Sequence, residues 1–129
     1  MIRPNSVILT FFLLNLDYRN KLIVMSVASR IERTGVDFYP TVIVNRSKVL
    51  HCDVIGVPKP VITWYKDGSA LSLGGLSGLR SLDDGAKIEI DSANLNDTGM
   101  YECRAENEAG HDRVHYQLKV FGLYVLVVC

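Results

Sequence analysis

At 129 residues with 48% hydrophobic content, the chain has room for one globular domain of ordinary size plus extra segments. Fourteen basic residues balance fourteen acidic ones, so the overall charge gives no ground for nucleic acid or a strongly charged membrane surface as partner. The cysteine count, three, is odd, and Cys129 stands at the end of an apolar tail.

Residues 7–16, VILTFFLLNL, form an apolar run behind Arg3, and residues 22–29, LIVMSVAS, form a second run ending in small residues. A secretory signal has a basic start, an apolar stretch of about 7 to 15 residues and a small-residue cleavage site, and each part is present. Asp17, Arg19 and Lys21 interrupt the pattern with charges that a translocating helix avoids. Neither run reaches the roughly 20 apolar residues of a membrane span. Residues 1–35 therefore read as an apolar leader, either an unusual signal or a non-native segment, with no part in the folded domain.

Residues 36–121 read as short strands with turn signals between them, the pattern of an all-β sandwich. Leu50, Cys52 and Val54 share one face of a strand, and Val49, His51 and Asp53 share the other. The same alternation turns Ile62 and Trp64 inward with Thr63 and Tyr65 outward. It turns Ile88 and Ile90 inward between Lys87, Glu89 and Asp91, and turns Val114, Tyr116, Leu118 and Val120 inward between His115, Gln117 and Lys119. Turns are expected at 56–60, at Asp67-Gly68, at Asp84-Gly85 and at Asn107-Glu108-Ala109-Gly110. The Gly-, Ser- and Leu-rich stretch Ser69 to Ser81 reads as a loose loop with short edge strands at most. Residues 122–129 continue an apolar tail too short to span a membrane, read as strand overrun, a truncated membrane segment or read-through. Any membrane attachment would come from flanking sequence.

Cys52, Trp64 and the run Asp97-Thr98-Gly99-Met100-Tyr101-Glu102-Cys103, with GVPKPVITWYKDG at 56–68, KIEI at 87–90 and the NEAG turn, resemble the immunoglobulin I-set. The wording of these motifs is similar to repeats of hemicentin-like and peroxidasin-like extracellular proteins. The resemblance implies a two-sheet Greek-key sandwich in which Cys52 and Cys103 form a disulfide and Trp64 packs on it. It also implies that Tyr101 ties down the preceding corner with help from Asp97, which would pair with Arg80. A bond closing a loop of roughly 50 residues is worth about 4 kcal/mol in the chain-entropy model, and it persists only in an oxidising compartment. The alternative is that both thiols stay reduced and pack as small hydrophobes, as in intracellular members of the fold.

The function implied is a non-catalytic protein–protein interaction module of an adhesion or matrix protein, extracellular or at the cell surface, with homophilic or heterophilic contacts. The alternatives are an intracellular spacer of the muscle-filament kind and an ectodomain fragment of a signalling receptor. No catalytic residue, cofactor or metal site is expected. The chain has no nucleophile-elbow signature, and His51 points away from the Cys52 sulfur, which removes an apparent Cys-His dyad. His111 and His115 have helical metal-pair spacing but fall at a turn and on a strand, where solvated edge positions explain them.

Asn45-Arg46-Ser47 and Asn96-Asp97-Thr98 are N-glycosylation sequons, with Asn45 expected to be the better placed. The outer face of the tryptophan-bearing sheet is expected to present Thr63, Tyr65, Glu102, Arg104, His115 and Gln117 as a partner-binding surface. A plain solvated face with cross-strand Glu/Arg pairs is the other reading of the same residues.

Overall fold

The computed structural model describes residues 25–73 and 78–123. Ten strands fill it: β1 (Val27–Ile31), β2 (Thr41–Ile43), β3 (Lys48–His51), β4 (Val54–Val57), β5 (Val61–Lys66), β6 (Ser69–Ala70), β7 (Leu79–Leu82), β8 (Lys87–Ile90), β9 (Gly99–Asn107) and β10 (Gly110–Phe121). One sheet runs β2-β10-β9-β5-β6, in which β2 pairs parallel with β10 and the other pairings are antiparallel. Facing it are β3-β8-β7 and β1-β4. These two belong to one layer, because β3 and β4 are successive stretches of chain separated only by Cys52 and Asp53.

Alternating side chains from both layers build the core: Leu50, Cys52, Trp64, Ile88, Ile90, Tyr101, Cys103, Val114, Tyr116, Leu118 and Val120 are all buried. Cys52 and Cys103 are disulfide-bonded with their Cα atoms 6.4 Å apart. Trp64 lies beside Cys103 in the β5/β9 register, and its indole Nε1 donates to the Gly85 carbonyl over 2.7 Å. That bond satisfies the one polar group the buried ring carries. Gly85 has φ +93°, and a Cβ there would lie 3.3 Å from Ile62, so the turn closes over the ring best with glycine. Phe38, Tyr116 and Trp64 continue the core as a row of rings, with centroids 6.2 and 6.1 Å apart.

The leader expectation needs correction at its C-terminal end. Residues 1–24 lie outside the described residues, but 27–31 form β1, which pairs antiparallel with β4 and buries Ser29 and Ile31. The physical reason is visible at Ser29. Its Cα lies 3.2 Å from the position a Cβ on Gly56 would take, so the small residues that looked like a cleavage site serve close strand packing. Asn107 secures the same end, donating to the carbonyls of Val27 and Pro58 while its Oδ1 accepts from Ala109 and Gly110. The stretch 69–81 contains β6 and β7 at its ends, and 74–77 lie outside the described residues, as do 124–129 of the tail.

Candidate partner-binding face

The hairpin between β9 and β10 turns through Glu108 and Ala109, with Asn107 paired to Gly110, and this fixes the register of everything above it. Arg104 stands opposite Arg113, Glu102 opposite His115, and Met100 opposite Gln117. On the other flank of β9, Thr63 pairs with Arg104 and Tyr65 with Glu102. All six residues expected on the outer face are thus brought together on it.

Glu102 departs from its expected role. Instead of being presented to solvent, it is only 8% exposed. Arg104 Nε hydrogen-bonds its Oε1, while His115 Nε2 lies 2.5 Å from its Oε2. The Arg104 guanidinium lies over the Tyr65 ring, 4.0 Å from its centroid, a cation–π arrangement. The hydrogen bond to Glu102 raises the Arg104 pKa above its ordinary value. Contacts along β9 and across to β10 thus make one carboxylate an internal brace for the residues around it.

Counting outward from the hairpin register also brings residues that the strand pattern alone did not single out. Val61, Glu106, His111 and Arg113 complete the face, and all four are exposed. A cleft of about 340 Å³ opens there, lined by Arg104, Ala105, Glu106, His111, Asp112 and Arg113. The NEAG turn was the signal that could have found Arg113, since a hairpin turn sets which residues stand opposite each other. His111 and His115 both lie on β10, each opposite a glutamate. His51 is exposed, and its carbonyl accepts the Tyr116 hydroxyl.

At the opposite pole, Tyr101 Oη donates to the Asp97 carbonyl over 2.7 Å. Asp97 Oδ2 accepts from Asn94 N–H at 2.8 Å, and Asn94 Oδ1 accepts from Asn96 N–H at 2.8 Å, a capping box around the turn Leu95–Asp97. The expected Asp97–Arg80 pair does not form. Arg80 stands directly opposite Glu89 in the β7/β8 register and pairs with it, with Asp91 3.9 Å away. Burial raises the Tyr101 phenol, with Asp97 adding to it, and burial likewise pushes Tyr116 up to about 12. Asp112, hydrogen-bonded by Arg33, is held well below the ordinary carboxylate range.

The two sequons lie near one another at this pole, since Asn45 N–H donates to the Ala93 carbonyl. Asn45, Arg46 and Ser47 are all exposed, whereas Thr98 of the second sequon is half-buried and its Oγ1 accepts from Val120 N–H at 3.0 Å.

The immunoglobulin I-set domain model matches residues 39–120. Human hemicentin-1 is 41% identical over 90 residues, covering 70% of this chain and 2% of that protein. The muscle M-line assembly protein unc-89 of Caenorhabditis elegans is 33% identical over 95 residues, covering 69% of this chain and 1% of that protein. Among solved structures, sidekick-1 immunoglobulin domains 1–4 superpose with a TM-score of 0.70 at 24% identity, over 78% of this chain and 26% of that one. The chain therefore spans only one or two hundredths of the length of these two curated relatives. With its disulfide, buried tryptophan and tyrosine corner in two facing sheets, and with the match across 39–120, the chain belongs to the immunoglobulin I-set family.

Proposed function

We propose that this domain is a non-catalytic protein–protein interaction module of an adhesion or matrix protein, working outside the cell, and that its partner rests on the face of β5, β9 and β10. The observation that carries this reading is the Tyr65–Arg104 stack, 4.0 Å from guanidinium to ring centroid, braced from below by buried Glu102. Tyrosine and arginine are the side chains that most often dominate interface energetics. Holding them rigid before contact removes part of the ordering cost of binding. The disulfide and the exposed Asn45 sequon support an oxidising, secretory setting.

The test is partner binding by the Tyr65→Ala variant, with the fold checked by its thermal transition. A loss of binding in the folded variant supports the face, and unchanged binding removes it.

A second reading, an intracellular spacer that bears load, is favoured by the likeness to the muscle M-line protein. Non-reducing mass analysis of native material separates the two. A Cys52–Cys103 bond with glycan on Asn45 or Asn96 fits the secreted module, and free thiols without glycan fit the spacer.

A further inference from the structure

On the face proposed above, and on the reading that a partner binds there, the rows across β9 and β10 alternate in charge. Glu106 faces His111, Arg104 faces Arg113, and Glu102 faces His115. Two like charges directly opposite each other destabilise a strand pair, so the central row works against the fold that contains it. Neighbouring carboxylates do not relieve it. Glu102 spends one oxygen on Arg104 and aims the other at His115. Asp112 is held by Arg33, whose Nη1 and Nη2 each lie 2.8 Å from a carboxylate oxygen. Among the described residues, the Arg113 guanidinium has neither an ion pair nor a hydrogen bond. Glu106, across from His111, is the one exposed acid among the residues lining the cleft.

The cleft of about 340 Å³ is lined by both arginines. It is large enough for a side-chain carboxylate. An arginine offers five N–H donors in a planar fork that matches a carboxylate in two-point fashion. Arg104 is already fixed by Glu102 and Tyr65, so it loses less freedom when a carboxylate binds.

We propose that this cleft receives an aspartate or glutamate carboxylate from an acidic segment of the partner protein, held between Arg104 and Arg113. The partner's charge replaces the neutralisation that the domain itself withholds from Arg113. A second copy of this chain is a poorer match, because its corresponding face offers a single exposed acid within the cleft and two arginines beside it.

The test uses the full oxidised chain and three dye-labelled probes: a glutamate-rich peptide, its glutamine counterpart and a sulfated heparin oligosaccharide. The glutamate peptide is expected to bind and the glutamine peptide not to bind. Arg113→Gln is expected to weaken binding roughly tenfold or more and Arg113→Glu to abolish it. Thermal stability of Arg113→Gln is expected to be unchanged or raised, because the side chain it replaces has no internal partner, so misfolding does not confound the result. Equal binding of both peptides, indifference to Arg113→Gln, or preference for the oligosaccharide would overturn the proposal. If authentic partner binding is lost with Tyr65→Ala but survives Arg113→Gln, the face stands and the acidic segment does not. If both variants leave it intact, the face falls as well.

Discussion

Tyr101 and Asp97 are tied by a 2.7 Å hydrogen bond from the phenol hydroxyl to the backbone carbonyl four residues earlier, so one side chain of β9 fixes the corner that leads into it. Tyr101→Phe keeps the ring and removes the donor. The carbonyl is left partly buried without its partner, at an expected cost of about 1–3 kcal/mol. Equilibrium denaturant unfolding measures this, and a variant as stable as the parent would show that the capping box around Asn94 and Asp97 holds the corner unaided.

Alkaline pH probes the same chemistry. A phenol whose folded pKa is raised contributes its stabilisation fully below its unfolded pKa and loses it as pH rises through the folded value. Tyr116 moves from 10.0 to about 12, chiefly through burial, and Tyr101 is raised in the same direction for the same first cause. Stability is therefore expected to be level below about pH 10 and to decline from there toward pH 12. Denaturation midpoints across this range should decline, and the Tyr116→Phe variant should decline less steeply. A profile that stays flat to pH 12 would contradict the burial of these hydroxyls.

Acid acts through Asp112, which joins β10 to β1 by accepting from Ile31 N–H at 2.8 Å while Arg33 holds both of its oxygens. A depressed carboxyl stabilises the fold above its unfolded pKa, and that contribution disappears as pH falls through the folded value. Asp112→Ala should cost about 1–3 kcal/mol at neutral pH, mainly from the orphaned Ile31 amide, because the Arg33 bridge is partly solvent-screened. Hydrogen exchange at Ile31 is expected to accelerate before that of β9. Equal protection of Ile31 in variant and parent would show that Asp112 does not hold β1.

Replacing Cys52 and Cys103 together by alanine removes a bond between the layers and is expected to cost about 2–5 kcal/mol. Thermal unfolding of the oxidised parent and the double variant gives the difference. A loss below about 1 kcal/mol would mean that packing on Trp64 carries the centre without the sulfurs.

Glycan occupancy should differ between the sequons. The Asn45 sequon is open on the folded surface, while Thr98 is tied to Val120, so Asn96 depends on modification before the domain closes. Peptide mapping of secreted material is expected to find Asn45 more fully occupied, and slowing disulfide formation should raise occupancy at Asn96 alone. Greater occupancy at Asn96 under ordinary folding would reverse this ranking.

The parts of the fold legible in the sequence are those governed by period two. Leu50, Trp64, Ile88 and the run from Val114 to Val120 reveal their inner faces because strand geometry allows no other assignment. The outer face is legible as a set of residues and much less so as an arrangement. Glu102 alternates with buried residues and so reads as exposed, yet it is buried in contact with Arg104, two residues along β9, and with His115, which only the cross-strand register places opposite it. Arg80 fails for the same reason, since Glu89 is its neighbour across β8 and not along the chain. β1 was hidden by composition: small and apolar residues suit both a cleavage site and a strand packed against Gly56.

The parallel pairing of β2 with β10, at Thr41–Lys119, Val42–Val120 and Ile43–Phe121, has a mechanical consequence. Tension entering through the chain before β2 and leaving through the chain after β10 pulls these two strands along their length in opposite directions. Their hydrogen bonds are then loaded together in shear and cannot be peeled one at a time, as they would be if force were applied across a hairpin such as β9–β10. Once β1 has been drawn away from β4, further extension of the domain is expected to be resisted at this short seam.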